Sequence, residues 1–205
     1  MNKIKKIIIV LIVLLISVGI LYYLVLNEKD KSKQVNKVVV VDDIQTFGYV
    51  LHDTDTALYK EVFAELKKVL AEEETDYNKY AEYIGKLFVI SFYNLDNKVT
   101  NHDIGGLEFF HPEYIEVFRT KAKDGMYKYI KSNVYDDRKQ ELPIVSNVEL
   151  ISVENESFEY NELKDDNAYV VKLKVSYERD LGYSKEVSLT LVRVEHLLYV
   201  VEVKS

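Results

Sequence analysis

Residues 168–191 read AYVVKLKVSYERDLGYSKEVSLTL. Tyr169, Val171, Leu173, Val175 and Tyr177 alternate with Lys172, Lys174 and Ser176. A period of two places the first set on one face of a strand and the second on the other. Asp180-Leu181-Gly182 then signals a turn, and Val187, Leu189 and Leu191 resume the alternation against Glu186, Ser188 and Thr190. This is an antiparallel hairpin with one buried and one solvated face. Working outward, Ile144–Val153 is a strand candidate, and a turn at Glu195-His196 leads into another over Leu197–Val203. The C-terminal half therefore predicts a meander of about four strands.

Before Pro143 the period is that of a helix. Leu58, Val62, Leu66, Val69 and Leu70 form an apolar stripe within Thr56–Ala71. Tyr77, Tyr80, Ala81, Ile84, Leu87, Phe88, Phe92 and Leu95 form another, with Thr75 as the expected cap. A third helix is expected from Pro112 to about Ser132, through Ile115, Phe118, Ala122, Met126, Tyr129 and Ile130. Helices first and strands second predict an α+β domain, with about three helices packed on one face of a curved antiparallel sheet.

Ile7 to Leu26 is a run of twenty residues without a charge, preceded by Lys3, Lys5 and Lys6. As a helix it spans about 30 Å, the thickness of a bilayer's hydrocarbon core. It is longer than the apolar region of a cleaved signal peptide and lacks a small-residue cleavage site. The expectation is an uncleaved single-pass anchor in the cell membrane, with the C-terminal domain extracellular. The division expected is a tail and anchor over 1–27, a juxtamembrane linker with a short strand over 28–54, and the α+β domain over 55–205.

Composition removes several function classes. The 205-residue chain has no Cys, so it has no disulfides, no thiolate metal site and no Cys nucleophile. Its net charge of -7 divides into +4 over residues 1–33 and -11 over 34–205. An acidic domain disfavours nucleic acid as a partner. No phosphate-binding glycine loop and no Gly-x-Ser-x-Gly is present, and no cofactor is expected. The 23 Lys against 4 Arg resemble the usage of low-GC bacteria.

Two features can carry a site. The loop Asn101–Pro112 holds His102, Asp103, Gly105, Gly106, Phe109, Phe110 and His111. Its histidines and carboxylate suit a general base or a metal, although the spacing matches no metal motif. The plainer alternative is a turn and a helix cap, with the glycines supplying positive φ and the phenylalanines anchoring the loop. The second feature is tyrosine, 17 in all. Tyr80, Tyr83, Tyr169 and Tyr177, with Tyr77, Tyr127 and Tyr129, either line a pocket or fill half-buried positions. Asp136–Glu141 reads as a solvated loop.

Two or three helices followed by an antiparallel sheet, behind a short tail and one span, resemble the cone-shaped nuclear transport factor 2-like superfamily. The order of elements is similar to single-pass scaffold subunits of bacterial conjugation and type IV secretion machines. That resemblance covers residues 55–205 and is architectural, with no functional residues to transfer. It implies a non-catalytic module that binds an envelope protein or its own copies. The alternative is a small-molecule-binding or enzymatic domain of the same fold, using a tyrosine-lined pocket.

Overall fold

The computed structural model describes residues 15–23 and 38–205. Residues 15–23 are helical; the rest of the expected anchor, 7–26, and the linker through 37 lie outside the described residues. Among the described residues, no helix is long and apolar enough to cross a membrane. Val38–Ser205 forms its own compact unit.

That unit is α+β. It begins with a hairpin, β1 (Val40–Ile44) and β2 (Tyr49–His52), whose Tyr49 and Leu51 are buried. This hairpin belongs to the compact unit, which therefore reaches back beyond residue 55. Helix α1 (Ala57–Leu70) is capped by Thr56, whose Oγ1 accepts the Tyr59 N–H at 3.1 Å. Its most buried residues are Tyr59, Phe63, Leu66 and Val69. Leu58, Val62 and Leu70 flank them at the edge of the core, so the stripe lies about one residue away from its expected centre.

Helix α2 (Tyr77–Tyr93) is capped by Asp76, not Thr75. The Asp76 carboxylate accepts the N–H groups of Asn78 and Lys79 at 3.0 and 3.1 Å, a bond that Thr75, one residue outside the helix's N-cap position, does not make. From Tyr80 onward α2 is buried almost all round, as a central helix must be. The third helix is shorter than its stripe suggested. A single 3-10 turn at Pro112–Tyr114 leads into α3 (Ile115–Asp124), which stops at Gly125. Met126, Tyr127 and Ile130 leave the helix and turn back into the core.

The sheet is a four-stranded antiparallel meander in the order β3 (Val145–Tyr160), β4 (Leu163–Tyr177), β5 (Glu186–Val194), β6 (Leu197–Lys204). The turn residues Asn161 and Glu195 take φ values of +52° and +57°. Strand β3 is longer than expected, because its polar second half pairs with the start of β4 down to Tyr160↔Leu163. Val171, Leu173, Val175, Leu189 and Leu191 face the helices. On the other face Lys174 meets Glu149 and Lys172 meets Glu154, each at 3.4 Å.

The helix and sheet meet at Gly85. A Cβ added there would lie 3.2 Å from Val171 Cγ1 and 3.4 Å from Leu173 and Leu189 Cδ1. A methyl there would need Val171 to give by a few tenths of an ångström, and a larger side chain would displace core residues. Gly85→Val should destabilise the fold by about 1–3 kcal/mol, read as a lower urea midpoint for the detergent-solubilised chain.

Candidate functional site

The loop after α2 is built by close approach. A Cβ on Gly105 would sit 2.0 Å from the Ser91 carbonyl oxygen and 2.8 Å from Lys98 Nζ. Gly106 adopts φ +77°, and its N–H donates to Ser91 Oγ at 2.9 Å. So Gly105 is present for proximity and Gly106 for its left-handed backbone. Phe109 and Phe110 are buried and anchor the next segment.

This geometry separates the loop's titratable residues. Asp103 is exposed and accepts the Val99 N–H at 3.0 Å. His102 is exposed, with its backbone N–H bonded to Thr100 Oγ1. His111 is only 8% exposed and lies against β6, where its N–H donates to the Val200 oxygen at 2.9 Å. Its ring sits among Tyr114, at 5.2 Å, and Tyr199, at 5.7 Å. Thus His102 and Asp103 remain at the surface while His111 is enclosed elsewhere. Among the described residues, no group of three or more metal-ligating side chains forms.

The tyrosines are likewise separated. Tyr80 is fully buried, and its hydroxyl meets that of Tyr49 at 2.6 Å; burial pushes it up to about 12. Tyr83 is half-buried, with Lys86 Nζ 5.4 Å from its ring centre. Tyr177 donates to the Ser184 oxygen at 3.0 Å, and Tyr129 is exposed. Tyr169 lines an open groove of about 590 Å³ shared with Asn155, Asp165, Asn167, Arg193 and Glu195.

Two polar anchors escaped the sequence. Tyr127 donates to the Phe92 carbonyl at 2.6 Å and accepts the Gly105 N–H at 3.2 Å. It thereby satisfies a carbonyl in the last turn of α2 and holds the loop against it. Arg138, expected in a solvated stretch, donates to the carbonyls of Lys98, Asp96 and Lys131. Lys98 itself is buried, and desolvation holds its ammonium below the usual lysine range against the pull of Asp103, Glu108 and Asp55. No local spacing marks these residues, because each bonds a partner distant in sequence.

No family model, no curated protein and no solved structure matches the chain.

Tyr127→Phe leaves a buried carbonyl and a buried N–H without this partner, and should cost about 1–3 kcal/mol, measured by urea denaturation. His111 predicts a pH dependence. Its Nδ1 is buried without a hydrogen bond, and desolvation lowers its pKa, while Glu113 works in the opposite direction. Tyr114 and Tyr199 are the other titratable groups packed on its ring. The unfolded chain therefore binds a proton more readily, near the ordinary histidine value of about 6.5. Stability should be complete above that pH and fall as the pH drops through it. Melting curves between pH 8 and 5 should fall more steeply for the native chain than for His111→Phe.

Proposed function

We propose that this chain is a membrane-anchored, extracytoplasmic interaction module whose α+β domain binds an envelope protein or copies of itself. The carrying observation is the open edge of β3. Among the described residues, strand β3 pairs with β4 on one side only, whereas Phe110 and His111 bridge to Val200 on the opposite edge strand, β6. Leu150 and Ile151 are exposed on β3, Ile151 by 51%. A sixteen-residue edge offers backbone donors and acceptors to a second chain. Its three register shifts divide that edge into short stretches, which favours a matched partner over indiscriminate pairing.

The apolar run at 7–26 supports tethering, and helices ahead of an antiparallel sheet are in keeping with the nuclear transport factor 2-like scaffolds. A ligand-binding domain is the second reading, favoured by the presence of Tyr169 in the groove.

The absence of Cys makes a direct experiment available. Ser132→Cys, in an exposed loop, should react with a membrane-impermeant maleimide on intact cells. Photoreactive benzoylphenylalanine at Ile151 should yield one discrete adduct of higher mass. A label that reacts only after lysis would overturn the orientation, and failure to form any adduct would overturn assembly through β3.

A further inference from the structure

Three of the four arginines have guanidinium ends engaged within the protein. Arg119 pairs with Glu116 at 3.5 Å and Arg179 with Glu141 at 2.7 Å, while Arg138 binds backbone carbonyls. Arg193 differs. Its guanidinium lies 3.9 Å from the centre of the Tyr77 ring, and its Nε donates to the Glu195 carbonyl at 2.8 Å. Among the described residues, its two terminal nitrogens have no hydrogen-bond partner and no carboxylate at ion-pair distance. Stacking and one backbone bond thus orient a cation whose two-pronged edge is unused.

Arg193 lines the groove together with Asn155, Asp165, Asn167, Tyr169 and Glu195. Two of the groove's other side chains, Asp165 and Asn155, are also held in place. Asp165 accepts the backbone N–H groups of Asn167, at 2.9 Å, and Arg193, at 3.0 Å. Its carboxylate is therefore occupied on both oxygens. Asn155 Nδ2 donates to the Asn167 carbonyl at 3.2 Å, which leaves its own amide oxygen free to accept.

We propose that this groove recognises the terminal carboxylate of an extended peptide, with Arg193 as the residue that holds it. A carboxylate matches the paired N–H groups of a guanidinium edge in two parallel hydrogen bonds. The amides of Asn155 and Asn167 complement the peptide groups that precede such a terminus, and the Tyr169 ring supplies a flat wall. The carboxylates of Asp165 and Glu195 outnumber the one cation, which disfavours a phosphate dianion more strongly than a singly charged carboxylate. The choice of a peptide rests on the interaction-module reading above.

The detergent-solubilised full chain, immobilised, is exposed to a random heptapeptide library with free C-terminal carboxylates. A second arm uses the same library amidated, and a third uses trigalacturonate. Free-carboxylate peptides should be retained at least tenfold better than the amidated ones. Arg193→Gln should remove that difference, and Arg193→Lys should restore only part of it, because an ammonium lacks the fork. If Arg193→Gln also lowers the melting temperature, Asn167→Asp gives an independent readout: an added negative charge should reduce retention about tenfold. Equal retention of both libraries, no retention, indifference to both substitutions, or retention of trigalacturonate alone would each overturn the proposal. Adducts at Ile151 without peptide retention would sink this inference alone; peptide retention without adducts would sink assembly through β3 alone.

Discussion

The close seat of α2 on the sheet at Gly85 is the constraint on which the rest of the domain depends. With no side chain there, the helix drops onto Val171, Leu173 and Leu189. Its aromatic residues then fill the space on either side, Tyr80 toward the hairpin and Phe88 and Phe92 toward α3. The end of the helix also positions the sheet. Asn94 Oδ1 accepts the Val145 N–H at 2.9 Å, and the Leu95 N–H donates to the Pro143 oxygen at 3.0 Å. The first strand of the meander is thereby tied to the last residues of α2.

Most chemistry-bearing residues are absorbed by this architecture. A tyrosine offers a large apolar ring and one hydroxyl, which suits a buried site with a single polar neighbour. Tyr49, Tyr80 and Tyr127 each find such a neighbour in the core. Two outward-facing features remain, the β3 edge and the Arg193 groove. They differ in character. The edge combines exposed Leu150 and Ile151 with four glutamates and no Lys or Arg, whereas the groove is polar around one oriented cation.

The fold class was legible because hydrophobic period is local. Alternation over Tyr169–Tyr177 and the stripe from Tyr80 to Phe92 each record which face is buried, whatever lies opposite. The ends were less legible. Gly125 terminated a helix that the spacing of Met126, Tyr129 and Ile130 prolonged, because Met126 and Ile130 meet the core from beyond the helix while Tyr129 stays exposed. The second half of β3 carries too few apolar residues for a pattern and is a strand because β4 pairs with it.

The candidate site shows the same division more sharply. His102, Asp103 and His111 are neighbours along the chain, and their spacing admits either a shared site or a simple turn. Packing separates them: Phe109 and Phe110 enter the core and carry His111 to β6, while Asp103 is spent on the Val99 N–H. Conversely, Arg193, Asn155 and Asn167 share one groove although nothing in their spacing relates them. Burial periodicity is a property of each segment and can be read from neighbours in sequence. Which side chains share a surface depends on strand register and on how closely a helix approaches a sheet, and those are set by contacts between residues far apart in the chain.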